Sequence, residues 1–290
     1  MSTESTTESA KDSVLIAAMY RFFDFPDFEE WIPRIQAVCN TGKLRGMLLM
    51  ATEGLNGTIA GPEKGIRELI EFLQSEPRIN GMEVKYSRSE FNPFKRDIVR
   101  IRRKKEIVTM GVPGIDPLTQ AGTYVKPAEW NDLIADPDVV LIDVRNDYET
   151  ALGKFEGAIA PNTEDFRHFP EWVKENLNPD KNKKVAMYCT GGIRCEKATA
   201  LMRQEGFEEV YHLHGGILRY LEETPTDSTK WEGECFVFDH RVSVDHNLER
   251  GQYELRWACG HPKTIDGDGE ECPICHFRED TNDDKSELKL

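Results

Sequence analysis

No apolar run in this 290-residue chain is long enough to cross a bilayer. The longest, "VLIAAMY" at 14–20, is strand-sized, so no membrane association is expected. A secretory leader is also lacking: "MSTESTTESAKDS" is polar and acidic with no basic region before an apolar stretch, and a cytoplasmic setting is expected. The seven cysteines are odd in number and widely spread, which argues against a disulfide framework and leaves thiols for chemistry or metal. No flavin or nicotinamide glycine fingerprint is present, and no iron site of two histidines and one carboxylate. Residues 1–13 and 281–290 are too polar to bury a core and are expected to be disordered.

Positive charge is scarce overall. The net charge of -15 argues, averaged over the chain, against a nucleic-acid partner. Its uneven distribution weakens that argument. Residues 1–110 hold 17 Lys+Arg against 16 Asp+Glu, and residues 111–290 hold 20 against 36. Within the first part, "FKRDIVRIRRKK" at 94–105 has seven basic residues, Lys95, Arg96, Arg100, Arg102, Arg103, Lys104 and Lys105, and one acidic residue. It reads equally as a solvated strand edge and as a phosphate-contacting strip.

The length suits two or three domains. Residues 14–110 follow the order β-α-β-β-α-β, from "VLIAAMYRFF" through the helical "PEKGIRELIEFLQSE" to "MEVKYSRS". That is the split βαβ pattern of a ferredoxin-like α+β domain. "GVPGIDPLTQAGTYVKP" lacks periodicity, and residues 111–125 read as a linker. From 126 to 224 apolar strands alternate with helices, which implies an α/β domain with a mainly parallel sheet and a functional crevice at the strands' carboxyl ends. Residues 225–280 look irregular and form a small Cys/His-containing appendage.

"VAMYCTGGIRCEKATA" at 185–200 reads as a buried strand, a loop and a helix. In the loop Cys189, Thr190, Gly191, Gly192, Ile193 and Arg194, the glycines let backbone N–H groups curl round the sulfur. The following helix N-terminus and the Arg194 cation add positive potential. The expected result is an accessible Cys189 with a lowered pKa. Arginine follows the cysteine by five positions, one fewer than in cysteine phosphatases, so the ring fits a smaller anion such as a persulfide sulfur. Cys195 reads as a packing residue or a resolving thiol. Asp143 and Arg145, in "IDVR", read as support for the loop or as an ordinary strand-end ion pair. His212 and His214 read as satisfied strand histidines.

"VVLIDVRNDYE", "GKFEGAI", "VAMYCTGGIRCEKA" and "VYHLHGGI" resemble the rhodanese domain in order and spacing over about 125–224. One departure, "GKFEGA" in place of a histidine-containing segment, sets the chain apart from ordinary thiosulfate sulfurtransferases. Together with "RGMLLMATEGLNGTIAG" and "GECFVFDHRVSV", nearly the whole chain resembles the oxygen-dependent tRNA uridine(34) hydroxylase family. That resemblance implies 5-hydroxylation of the wobble uridine, molecular oxygen as co-substrate, the tRNA anticodon region as partner, no obligate protein partner, and Cys189 as catalytic residue. Two other readings remain at this level: a persulfide sulfurtransferase acting on a small acceptor, and a non-catalytic rhodanese-like binding module.

"CGH" at 259–261 and "CPICH" at 272–276 resemble two halves of a zinc site. Cys259, His261, Cys272 and Cys275 are the candidate ligands, with His276 or Cys235 as substitutes for His261. A loop of reduced surface thiols is the alternative. Four protein ligands would leave no open position, so such a metal would be structural.

Overall fold

The computed structural model describes residues 13–267 and 271–276; residues 1–12 and 281–290, expected to be disordered, lie outside the described residues. The chain divides after Ile107 into two units. The first contains β1 (Val14–Phe22), α1 (Phe28–Thr41), β2 (Arg45–Ala51), β3 (Gly54–Gly61), α2 (Glu63–Gln74), β4 (Glu83–Ser89) and β5 (Val99–Arg103). The sheet order is β4-β1-β3-β2-β5. Its first four strands are antiparallel neighbours in the ferredoxin-like arrangement, and β5 adds a fifth, parallel to β2.

Periodicity explains this unit. Helix α2 buries Ile66, Leu69, Ile70 and Leu73, the i, i+3, i+4, i+7 stripe, against alternate residues Leu15, Ala17 and Met19 of β1. The same rule divides the basic segment. Val99 is buried in the core and Ile101 packs against it, so Arg100 and Arg102 project from the opposite face beside Met47 and Leu49. Arg103 falls on the helical side, 3.4 Å from Glu29. The seven cations are all exposed but do not form one continuous face.

The second unit contains α3 (Pro117–Gln120), β6 (Thr123–Val125), α4 (Pro127–Ala135), β7 (Val139–Asp143), α5 (Asp147–Thr150) and β8 (Gly153–Phe155). Then come α6 (Phe169–Asn176), β9 (Lys184–Tyr188), α7 (Ile193–Gln204), β10 (Glu209–Leu213) and α8 (Gly216–Glu223). A parallel sheet of order β6-β10-β9-β7 lies between two apolar layers. Phe169 and Val173 of α6 pack with Ala198, Leu201 and Met202 of α7 in one layer; Trp130 of α4 packs with Ile217, Tyr220 and Leu221 of α8 in the other.

Residues 111–125, expected to be a linker, instead carry α3 and the edge strand β6. Asp116 caps the short helix by accepting from the Leu118 N–H at 3.0 Å, and the Gly122 N–H donates to Thr199 Oγ1 at 2.8 Å. Glycine is required at 122 because a Cβ there would stand 2.7 Å from the Val210 carbonyl. The strand is too short to show a period. Met110, placed in the first domain by the sequence reading, is buried in the second unit's core.

The C-terminal part contains β11 (Trp231–Gly233), β12 (Cys235–Phe236), β13 (Ser243–Val244), β14 (Tyr253–Leu255) and β15 (Pro262–Thr264). It is less of an appendage than its irregular sequence suggests. Strand β11 pairs with β8, and Trp231, Cys235, Val237 and Val244 are buried in the α4/α8 layer. Strands of two or three residues leave no alternation to read.

Candidate active site

Three loops converge at the carboxyl ends of β7, β9 and β10. The Val144 N–H donates to the Tyr188 carbonyl at 3.0 Å, which joins the first loop to the strand leading to Cys189. From the start of α8, after the third loop, Ile217 N–H donates to Cys189 O at 3.0 Å and Leu218 N–H to Thr190 O at 3.1 Å. Gly216, at φ +65, permits this approach: a Cβ there would lie 2.5 Å from Cys189 O and 2.6 Å from Thr190 O. Gly192, at φ +102, turns the catalytic loop into α7.

The loop curls as its composition suggests. Gly192 N–H donates to Cys189 Sγ at 3.1 Å. Burial pushes the Cys189 thiol up, but this is outweighed by a hydrogen bond from the Cys195 thiol, the Arg194 charge, and the backbone N–H groups of residues 195 and 194. The balance lowers Cys189 from 9.0 to about 6. Cys195 is driven the other way, well above the ordinary thiol value, by burial and by Cys189. It therefore acts as a hydrogen-bond donor to the thiolate, a role that neither sequence reading gave it.

The expectation of an accessible sulfur is corrected. Cys189 is 1 % exposed, because the groups that favour its thiolate also wrap it. Arg194 has its place in the loop but does not stand as a lone cation. Its guanidinium grips Glu149 with two contacts of 2.6 Å, and both side chains are buried. Burial works against the Glu149 charge, and Arg194 more than compensates, holding the carboxyl below its usual range. Glu149 also accepts from Thr190 Oγ1 at 3.2 Å and from the Asn146 N–H at 3.1 Å. Sequence reasoning missed this residue; its only signal was an acid one helical turn after "IDVRN".

Asp143 and Arg145 form a fully buried pair, with Nη2 to Oδ2 at 2.6 Å and Nε to Oδ1 at 2.9 Å. The same guanidinium donates to the carbonyls of Glu149 at 3.2 Å and Gly153 at 2.6 Å. These bonds tie the pair to the turn that carries Glu149. His212 departs from its reading: it is 1 % exposed, and neither ring nitrogen finds a hydrogen-bond partner among the described residues. Its ring packs 4.1 Å from that of Tyr124.

Cys259, His261, Cys272 and Cys275 come together, their ligand atoms all within 4.8 Å of one another. Sulfurs on a tetrahedral zinc with bonds of about 2.3 Å stand about 3.8 Å apart, so modest contraction would seat an ion. His261 Nδ1 lies 3.3 Å from Cys272 Sγ, and its ring stacks on Tyr148 at 6.2 Å. The two substitutes are elsewhere: His276 turns to Glu271 at 3.1 Å, and Cys235 is buried in the α4/α8 layer. This is a cluster that could hold a metal ion.

A family model described as UPF0176 acylphosphatase like domain matches residues 14–107, and one described as Rhodanese-like domain matches residues 126–223. Proteins named tRNA uridine(34) hydroxylase are similar along almost the whole chain. That of Teredinibacter turnerae is 54 % identical over 269 residues, 90 % of this chain and 83 % of its own. That of Picosynechococcus sp. is 52 % identical over 274 residues, covering 91 % and 90 %, and that of Sinorhizobium medicae 50 % identical over 283 residues, covering 95 % and 89 %. Identity of this order over nine-tenths or more of the chain means that it belongs to the tRNA uridine(34) hydroxylase family.

Proposed function

We propose that this chain hydroxylates C5 of uridine 34 in tRNA, with molecular oxygen as co-substrate and Cys189 as the reacting side chain. The observation that carries this reading is the Cys189 loop, whose Gly192 N–H is aimed at Sγ at 3.1 Å and whose charges and N–H groups lower the thiol to about 6, inside a chain 50 % or more identical to proteins of that name. A thiolate suits the task because C5 of uracil is a poor nucleophile until C6 is attacked. Because Cys189 is 1 % exposed, its loop must part to admit the base; Cys189 Sγ then forms a bond to C6, and the electron pair of the C5–C6 double bond moves onto an enolate spread over C5 and O4. The activated C5 bonds one atom of dioxygen to give a C5 hydroperoxide. A two-electron thiol reductant of the cell extract, with two protons, cleaves its O–O bond, leaving a hydroxyl on C5 and releasing the second oxygen as water. Loss of the C5 proton with departure of the thiolate restores the double bond.

The other named residues serve this step indirectly. Arg194 and the N–H groups of the loop hold the sulfur negative; Glu149, Asp143 and Arg145 hold Arg194. In the first unit, Arg100 and Arg102, flanked by Lys95, Arg96, Lys104 and Lys105, would contact phosphates of the anticodon arm. Arg103, engaged with Glu29, would contribute less. Cys259, His261, Cys272 and Cys275 would bind zinc in a structural role. The reaction would take place in the cytoplasm; among the described residues no helix is long and apolar enough to cross a membrane.

Isotopically labelled dioxygen tests the reading. Unmodified tRNA is incubated with the protein in an extract lacking it, and nucleosides are analysed by mass spectrometry. The expected product is labelled 5-hydroxyuridine at position 34, made by the wild type and not by Cys189→Ser. Unmodified uridine with both proteins, alongside thiosulfate:cyanide turnover without tRNA, would establish the sulfurtransferase reading instead.

A further inference from the structure

The segment "ECFVFDHRV" at 234–242 contains a feature that loop chemistry leaves unexplained. Strands β12 and β13 pair Cys235 with Val244 and Phe236 with Ser243. The turn between them is heavily restrained. The Val237 N–H donates to Val242 O and the Val242 N–H to Asp239 O, each at 2.9 Å. Arg241 folds back on Asp239, with Nε to Oδ1 at 2.9 Å and Nη2 to Oδ2 at 2.7 Å, and both side chains are almost fully buried. Val242 lies at φ +64, a left-handed conformation that a β-branched residue adopts only when its surroundings impose it. It is buried with Leu152 and Phe236.

So constrained a turn presents an exposed aromatic ring. Phe238 is 56 % exposed between buried Val237 and the buried Asp239 side chain. Its edge-to-face contact with Phe236, at 5.2 Å and 78°, orients the ring. The Arg194 guanidinium carbon lies 5.9 Å from its centroid. Arg194 belongs to the Cys189 loop, so the ring stands at the loop's outer edge. A fixed, largely exposed ring at the edge of a catalytic loop is the kind of platform on which an unpaired base stacks.

We propose that Phe238 is the residue on which the target uracil stacks as it enters the Cys189 site. The ring holds the base against the loop while Sγ attacks C6; Phe236, Val242 and the Asp239–Arg241 pair hold the ring. This assignment rests on the hydroxylase reading and adds the residue that positions its substrate.

The test compares Phe238→Ala, Phe238→Leu and Phe238→Tyr in the hydroxylation assay. Loss of one stacked base lowers kcat/KM by about 5- to 150-fold, so Ala and Leu should both lose that much while Tyr recovers most of it. The pH midpoint of Cys189 alkylation should not move in any variant, which separates stacking from damage to the loop. Full activity in Phe238→Leu, or a displaced Cys189 midpoint accompanying the loss, would overturn the assignment. A second arm is independent of catalysis. Tryptophan emission from Phe238→Trp should be quenched by a uridine-34 anticodon stem-loop RNA, more than by the same RNA with an abasic site at that position. If the wild type does not hydroxylate, the hydroxylase reading fails, and this quenching alone decides whether Phe238 stacks on a base.

Discussion

Replacing Cys195 by Ala removes the hydrogen bond that, after burial, influences the Cys189 thiol most. A hydrogen bond to a charged acceptor contributes about 1.5–3 kcal/mol, and about 1.4 kcal/mol corresponds to one pKa unit, so the midpoint should rise by about one to two units. From about 6 in the wild type it should move to about 7–8 in Cys195→Ala. The thiolate fraction at pH 7 then falls from about nine-tenths to between about a half and a tenth. Cys195→Ser keeps a donor and should stay near the wild-type value. Thiolate absorbance measured against pH, with the signal of the same protein carrying Cys189→Ser subtracted, isolates the one sulfur from the other thiols. A Cys195→Ala midpoint that does not move, or one that rises equally in Cys195→Ser, would refute the hydrogen-bond account. Linkage gives a second readout: a pKa lowered from 9.0 to about 6 stabilises the fold in full above pH 9, and that contribution is lost as the pH falls through about 6.

Four other outcomes follow from the same geometry. Gly216→Ala brings a methyl group to 2.5 and 2.6 Å from the Cys189 and Thr190 carbonyl oxygens and should abolish hydroxylation; retained activity would mean that the loop yields easily. Glu149→Gln leaves the buried Arg194 charge poorly paired, a loss of about 3–5 kcal/mol, and should lower Tm by about 6–20 °C in circular dichroism melts. Arg100→Glu with Arg102→Glu should weaken tRNA binding and reduce the salt slope of affinity by about 0.7–0.9 per lost phosphate contact, whereas an unchanged slope removes these residues from the interface. Protein purified without chelator should contain about one zinc per chain, and Cys275→Ser should reduce this without shifting the Cys189 midpoint.

What was legible in the sequence follows the physics of each signal. Long amphipathic periods and apolar strands announce α2, β9 and α7 because a core needs them, and the strand-glycine-helix order announces Cys189 because only that arrangement directs N–H groups at one atom. The pairing of cysteines and histidine at 259–275 is likewise written in local spacing. Glu149 was not legible: its partner Arg194 is 45 positions away, and one acid in a short helix carries no mark of being buried. Nor was the enclosure of Cys189, since its own loop wraps the sulfur, and the start of α8 docks on that loop, through backbone N–H groups that leave no side-chain pattern. Strand β6 and the hairpin carrying Phe238 are too short for a period, so their place in the second unit emerges only from pairing and burial.

The most direct test of the central claim is nucleoside mass spectrometry of tRNA from cells that lack this protein, complemented with the wild type or with Cys189→Ser. The account predicts that 5-hydroxyuridine and its derivatives at position 34 return with the wild type and stay absent with Cys189→Ser. Their full return with the serine variant would contradict it.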